Sequence, residues 1–339
     1  MNGITKGRPL LALSIISFFL SSTAVWADFP MAGGNAQRTS RVDIAGPTST
    51  PEIRWERPLG VPGISDTQPI VDKEGNIYAT ASPVKAKSWK GPGAPSVVLV
   101  SFTPDGTERW RYVYRWDHTK PEFQGTWSQL SVPVIVGERV IIGHRYGVLR
   151  GLDRKTGKLC WERDLSPGLD PITSTPVADQ DGSIYVHCRD IPTIMKIDGA
   201  SGETIWTHHF VDNEAGHTSS PTLSADEKTL YIGRTAADIS YIYAVNTDDG
   251  LFKWSWSAPT GRGHSFSWPI PVLGPTGQIY MQDEELGHLY AIRDSGHTHA
   301  EQWSLKRDGR DAPRLGAVSE IGYFGAYIHG NSNQPVVFS

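Results

Sequence analysis

One unit recurs along this chain, and its closing tryptophans constrain the fold more than any other feature. They are Trp55, Trp110, Trp161, Trp206, Trp254 and Trp303. Each unit opens with a proline before apolar residues, at Pro69, Pro133, Pro176, Pro221 and Pro269. A turn follows, then a β-prone run around a tyrosine, another β-prone run, a Gly-containing turn and the tryptophan. Thr175-Pro176-Val177, Ser183-Ile184-Tyr185-Val186, Met195-Lys196-Ile197-Asp198 and Thr204-Ile205-Trp206 show the pattern plainly. Four short runs separated by Gly or Asp turns predict a four-stranded antiparallel meander. Such a sheet has two apolar faces and open edges, so one copy is not stable alone. Copies stacked in a ring cover those faces, which is the β-propeller solution. A flat indole on the outer strand fills the widening gap between blades, so all six tryptophans are expected in the core. Proline at the start of an inner strand costs no ladder bond.

Five proline-to-tryptophan units run from Pro69 to Trp303, and two fragments remain. Glu52-Ile53-Arg54-Trp55 has the outer-strand pattern without preceding strands, while the tail from Leu315 to Phe338 has three β-prone pieces and no tryptophan. Together they predict a sixth blade, closed by the N-terminal strand pairing beside the C-terminal tail. The expectation is an all-β propeller of six blades. Seven or eight is the alternative if residues 28–50 hold strands or the long first unit splits. The Pro/Gly-rich insert Ser82 to Ser96 in that unit is read as a loop.

The first residues read differently. Lys6 and Arg8 precede the apolar run Pro9 to Leu20, and Val25-Trp26-Ala27 suits a peptidase that needs small residues one and three before the cut. Residues 1–27 are therefore expected to be a signal peptide cleaved before Asp28, leaving one domain over 28–339. The run is short for a membrane crossing, and no later segment is long and apolar enough for one. A secreted or periplasmic location is the consequence. With 38% hydrophobic residues and two cysteines, the chain is neither disordered nor a disulfide scaffold. Lys and Arg number 32 against 36 Asp and Glu, and no basic run occurs, so nucleic acid is not an expected partner.

The repeats carry a resemblance. Asp153-Arg154-Lys155-Thr156-Gly157-Lys158-Leu159-Cys160-Trp161 and Asp198-Gly199-Ala200-Ser201-Gly202-Glu203-Thr204-Ile205-Trp206 resemble the repeat of the quinoprotein-type, or pyrroloquinoline-quinone-like, propellers. The stretch from Asp28 to Thr39 resembles the N-terminal lead of secreted members. That family is similar to both quinone-dependent alcohol dehydrogenases and the propeller scaffolds of outer-membrane assembly. The resemblance implies the fold. The dehydrogenases carry an adjacent cysteine pair and a calcium ion beside the cofactor, whereas Cys160 and Cys188 lie 28 residues apart. A quinone is therefore not expected. The scaffolds carry a lipid-attachment cysteine, which is not found near Asp28.

In a four-stranded blade, the loop joining strands two and three shares a face with the loop entering the next blade. Loops entering inner strands supply Asp66, Trp127, Gln129, Asp170, His217, His264 and Arg314. Loops between second and third strands supply His144, Arg145, Tyr146, His187, Arg189 and Asp190, and further on Arg234, Asp238, Asp283, Glu284, Glu285, His329 and Asn331. Five histidines thus map near one funnel mouth, where they suit acid–base work, anion contact or metal ligation. Histidine in a polar loop is equally an ordinary hydrogen-bonding residue.

Two functions stay open. One is a propeller that binds a polar small molecule or an envelope protein at the funnel. The other is a lyase, isomerase or hydrolase, with His217 or His264 as base and Tyr146 or Asp170 as proton donor. Arg189 or Arg234 would then stabilise developing negative charge. A divalent metal would need His217, His264 and either His144 or His187 to converge. His297 and His299 are expected at the surface, and His208 and His209 to straddle a sheet. Asp179-Gln180-Asp181-Gly182 reads as a turn rather than a calcium loop. Both cysteines are expected to be buried thiols.

Overall fold

The computed structural model describes residues 28–39, 50, 52–59, 63–64, 68–83, 97–114, 131–144, 147–165, 175–188, 193–210, 217–236, 239–258, 271–274, 276–283, 288–306, 313–318, 324–328 and 336–338. These form six antiparallel sheets in chain order. Sheet 1 holds β1 (Gly63–Ile64), β2 (Ile70–Val71), β3 (Ile77–Pro83), β4 (Val97–Phe102) and β5 (Glu108–Tyr114). Sheet 2 holds β6 (Val134–Val136), β7 (Arg139–Gly143), β8 (Val148–Asp153) and β9 (Leu159–Asp164). Sheet 3 holds β10 (Val177–Ala178), β11 (Ser183–Cys188), β12 (Thr193–Asp198) and β13 (Thr204–His209). Sheet 4 holds β14 (His217–Thr218), β15 (Thr222–Leu223), β16 (Thr229–Ala236), β17 (Ile239–Asn246) and β18 (Phe252–Ser257). Sheet 5 holds β19 (Val272–Leu273), β20 (Gln278–Asp283), β21 (His288–Asp294) and β22 (His299–Lys306). Sheet 6 has three described strands, β23 (Pro313–Val318), β24 (Phe324–Ile328) and β25 (Val336–Phe338). In sheets 1 and 4 the inner strand comes in two pieces that pair with the same neighbour, so the first five sheets share one meander.

The repeat has a physical explanation in its register. Ile70, Tyr78, Ser101 and Trp110 form one cross-strand row, and so do Val177, Tyr185, Lys196 and Trp206. Sheet 2 puts Ile141, Gly151 and Trp161 in the same row, sheet 4 Tyr231, Ala244 and Trp254, and sheet 5 Tyr280, Ala291 and Trp303. In all five sheets the register slips immediately beside this row, leaving one extra residue just before the tryptophan. A bulge of this kind bends and twists the strand and re-aims the side chain that follows.

The indole then reaches out of its own sheet. Trp110 Nε1 donates to Arg154 O at 3.0 Å, Trp161 to Gly199 O at 3.2 Å and Trp206 to Thr247 O at 3.0 Å. Trp254 Nε1 donates to Asp294 Oδ1 at 2.9 Å. Every acceptor lies at or just beyond the end of the third strand of the following sheet, where the turn to the fourth begins. A glycine accommodates the ring there: a Cβ on Gly157 would lie 2.5 Å from Trp110, and one on Gly202 2.7 Å from Trp161. Both glycines have positive φ, 70° and 77°, so the turn and the docked ring make the same demand.

Most tryptophans are in the core as expected, with Trp110, Trp161 and Trp254 at 7–8% exposure and Trp55 and Trp206 half-buried. Trp303 is the exception at 39%, leaning on Tyr280 with ring centroids 6.0 Å apart. A second correction concerns the fifth unit, where Pro271, not Pro269, stands immediately before the inner strand. Cys188 is buried, but Cys160 is exposed because it is the extra residue of the sheet 2 bulge. His208 and His209 straddle their strand, half-buried and exposed, and Asp179 opens a turn in which Ser183 N donates to its carboxylate at 2.7 Å. His299 is half-buried against Trp254, at 4.9 Å between ring centroids. The insert begins later than read, since β3 continues to Pro83 and residues 84–96 lie outside the described residues. Residues 52–59 are not in a strand, yet Trp55 Nε1 donates to Pro104 O at 3.0 Å over Gly106, the docking the other tryptophans use.

Successive sheets share apolar cores. Ile70, Tyr78 and Leu99 pack with Val140, Ile142 and Leu152 between sheets 1 and 2. A larger cluster joins sheets 2 to 4, and another holding Trp254, Trp256 and Tyr290 joins sheets 4 and 5. At the inner edges the chain supplies its own partner. Phe29 and Val71 exchange backbone bonds at 2.9 Å, and Pro30 O accepts from Ile135 N at 2.8 Å. Ala36 O accepts from Leu223 N at 2.9 Å, and Gln37 O from Leu273 N at 3.3 Å. Residues 29–37 therefore touch inner strands of sheets 1, 2, 4 and 5, with Met31, Ala32 and Ala36 buried. This segment stops the inner edges from presenting open backbone groups.

Gly157→Ala is expected to lower unfolding free energy by about 2–4 kcal/mol, because the methyl meets both Trp110 and a left-handed backbone. Gly137→Ala, at φ 53° with nothing within 4 Å, should cost about 1 kcal/mol. Urea titration of both variants checks the contrast; equal losses would contradict the docking. By the same measurement Trp161→Ala should cost about 3–5 kcal/mol and Trp303→Ala clearly less.

Candidate functional site

The strands leave two faces. Tight turns such as Asp72–Asn76, Asp153–Lys158 and Asp198–Glu203 occupy one, here called the turn face. The described strand ends that lead into the loops singled out by sequence, such as His144, Cys188 and Ala236, lie at the other. Of the candidate loop residues, Asp66, Trp127, Gln129, Arg145, Tyr146, Asp170, Arg189, Asp190, Asp238, His264, Glu284, Glu285, His329 and Asn331 lie outside the described residues. His217 is placed on β14 in register with Thr235, beside Thr218 opposite Arg234. Asp283 ends β20 opposite His288, and Arg314 sits on β23 opposite Tyr327.

His144, His187 and Arg234 are fully buried, which corrects their placement on the rim. β11 and β16 run further than the sequence suggested, and strand alternation turns these side chains into the gaps between sheets. His144 packs on Tyr114 of sheet 1 at 4.6 Å between ring centroids, next to Arg150, whose guanidinium lies 4.1 Å from the same ring. His187 packs on Phe210 at 5.3 Å, and Arg234 from sheet 4 lies 5.4 Å from the centre of that phenyl ring. Tyr114 and Phe210 each stand four residues after their tryptophan, so they hold equivalent places in the repeat. The structure thus brings His187 and Arg234 together and separates both from His144. Burial, reinforced by Arg150, lowers the His144 imidazole to about 3, and burial with Arg234 does the same to His187. Both rings are neutral near pH 7. Neither can exchange a proton there, and lying in different gaps they cannot share a metal ion. Among the described residues no three His, Cys, Asp or Glu gather as a metal site.

Two constellations escaped the sequence. The first binds sheets 1 and 2 at the turn face. Tyr78 Oη donates to Asp72 Oδ2 at 2.8 Å, and Arg154 Nη1 reaches Asp72 at 3.2 Å and Glu74 at 2.7 Å. Burial raises the Asp72 carboxyl, but hydrogen bonds from Asn76 and Tyr78 and the Arg154 charge outweigh it and hold it below the ordinary range.

The second is Arg38, 7% exposed at the end of the inner segment. Its Nε donates to Pro221 O at 2.8 Å, Nη1 to Ala32 O at 3.3 Å and Nη2 to Thr175 O at 3.0 Å. Thr175 and Pro221 precede β10 and β15, so the guanidinium points toward the loop face while the backbone of 29–37 stays near the turns. Burial lowers its pKa to about 10, and among the described residues its partners are three backbone carbonyls and no carboxylate. Its φ is 54°, in the left-handed region.

Comparison with known proteins agrees with this geometry. A family model described as outer membrane protein assembly factor BamB matches residues 41–186 and 95–303. Protein Rv3035 of Mycobacterium tuberculosis is 28% identical over 280 residues, covering 75% of this chain and 59% of that protein. The solved structure of quinohemoprotein alcohol dehydrogenase from Comamonas testosteroni superposes with a TM-score of 0.60 at 15% identity, over 92% of this chain and 52% of that one. A europium-containing methanol dehydrogenase gives 0.65 at 12% identity, over 83% of this chain and 58% of that one. The chain spans between half and three fifths of the length of these proteins, and at such identities the structural likeness shows the fold alone. The five repeated meanders match these propeller structures, and the chain belongs to the family of pyrroloquinoline-quinone-like repeat β-propellers.

Proposed function

We propose that this chain is an envelope propeller whose loop face binds a protein partner or a polar small molecule without turning it over. One observation carries the reading: the rim candidates whose side chains are described, His144, His187 and Arg234, are inter-sheet core groups. The name of the matching family, an outer-membrane assembly factor, favours a protein partner. On this reading residues 1–27 are removed on export and residues 28–339 work as one domain outside the cytoplasm.

The quinone that the family name implies does not suit the described residues. The cysteines sit on different sheets, one exposed and one buried, and the inner edges near the turn face are taken by residues 29–38.

Six sheets and closure by the N-terminal strand are part of the proposal. Trp55 docks on the turn of sheet 1, as an outer strand of the preceding sheet would. On this proposal the segment around Trp55 runs beside β25 (Val336–Phe338) as the fourth strand of sheet 6. Ile53→Cys combined in turn with Val336→Cys, Val337→Cys and Phe338→Cys should then give at least one intrachain disulfide, visible as faster migration without reductant. Failure to oxidise in the folded protein would count against this closure.

Site-specific photo-crosslinking in envelope fractions tests the binding face. Discrete adducts are expected from probes at Trp127, Asp170, Asp190 and Glu284, and none from Asp105, Thr156 or Ser201 on the turn face. Adducts confined to the turn face would overturn the reading. So would a turnover abolished by His217→Ala or His264→Ala at unchanged melting temperature.

The buried imidazoles make a separate claim. The unfolded chain protonates His144 and His187 near 6.5, but the folded chain does so only near 3. Unfolding takes up protons between those values, so stability falls as pH drops through that window. His187→Gln should flatten the fall by up to about 1.4 kcal/mol per pH unit, measured by urea titration from pH 7 to pH 4. An unchanged slope would contradict a neutral buried His187.

A further inference from the structure

We propose that Arg38 forms the floor of an anion-binding site at the base of the loop-side funnel, taking the carboxylate or phosphate group of a ligand. The inference narrows the binding face to one chemistry and rests on that reading.

The case begins with charge. Arg38 donates once from each guanidinium nitrogen, always to a backbone carbonyl, and among the described residues it has no acidic partner. Three carbonyls satisfy three of its five N–H groups but cannot neutralise a unit charge taken out of water. A neutral donor would fasten the segment equally well at lower desolvation cost. By contrast Arg150 and Arg154, two other well-buried arginines, have Glu162 and Asp72 beside them. A buried, uncompensated guanidinium suits a site that an anion completes.

Geometry gives the direction. The bonds to Pro221 and Ala32 are fully buried, whereas the bond from Nη2 to Thr175 O is only partly so. The Nη2 edge of the guanidinium therefore faces the half-buried Thr175 at the leading end of β10, on the loop side. Ser220 is there too, its Oγ accepting from Thr175 N at 2.9 Å. A hydroxyl that accepts this bond keeps its own proton to donate to an anion.

The backbone is shaped for this placement. Gly33, at φ 73°, lies so close to Arg38 that a Cβ would come within 2.7 Å of the Arg38 Cα. Arg38 N donates to Asn35 O at 3.0 Å, and the Asn35 and Thr39 side chains bond at 2.6 Å. A non-glycine residue held in the left-handed region costs about 1–3 kcal/mol and persists where surrounding structure over-determines it. Here the turn before it and the inner strands of sheets 3 and 4 do so.

The test uses the mature chain with inorganic phosphate and with succinate, each titrated against sodium chloride at constant ionic strength. Melting temperature is expected to rise saturably by ~2–4 °C, with half-effect on the order of 1 mM. The stronger of the two anions identifies the ligand group as phosphate or carboxylate. Arg38→Lys keeps the charge but loses the planar fork, and is expected to weaken the effect at least tenfold. Should that variant not fold, the arginine Nε–H resonances of the wild-type chain give a second reading, in which one slowly exchanging signal shifts with the same midpoint. No saturable rise with either anion, an equal rise in Arg38→Lys, or Nε–H signals that all stay still would overturn the proposal. Each of these results leaves crosslinking from the loop face intact, so the two claims fail separately.

Discussion

Inner strands of a stacked-sheet protein face an axis with unpaired backbone groups, and everything else in this chain depends on how those groups are answered. Residues 29–37 answer them for sheets 1, 2, 4 and 5, and the Arg38 side chain reaches Thr175 and Pro221 at the head of sheets 3 and 4. One short segment thus ties together strands as far apart in sequence as Val71 and Leu273. It also distinguishes the two ends of the molecule, because its backbone lies near the turns while the Arg38 guanidinium reaches the leading ends of β10 and β15.

The outer edges are fastened by a different device that follows from the same repeat. A bulge before the tryptophan swings the indole toward the next sheet, where a glycine turn receives Trp110, Trp161 and Trp206 and a carbonyl, or for Trp254 the Asp294 carboxylate, accepts the indole hydrogen bond. The apolar area of an indole and one satisfied hydrogen bond therefore act between sheets rather than within one. Trp303 shares the row and the bulge of the others, yet it remains over a third exposed.

The fold was legible because its determinants are local. A proline before the inner strand, a tyrosine in most second strands, a glycine in the third turn and a tryptophan in the fourth strand recur in the same order. The site was less so. His144, His187 and Arg234 were read as loop residues because polar types at the end of a β-prone run mark a loop. Alternation instead sends them between sheets, where aromatic rings four residues after a tryptophan receive them. Arg38 left no signal at all. Two of its partners are backbone carbonyls 137 and 183 residues away, and any residue type supplies a carbonyl. Cys160 was misjudged for a related reason: periodicity reverses at a bulge, and nothing in the local sequence announces the extra residue.

The account stands on the inner segment, and hydrogen exchange measures it most directly. The amides of Ile135, Leu223 and Leu273 donate to Pro30, Ala36 and Gln37 rather than to a neighbouring strand. If residues 29–37 hold the inner edges, these three amides exchange as slowly as those inside β11 and β16. Exchange at the rate of an open edge strand would mean that the segment does not occupy the axis, and the floor beneath the loop face would be gone.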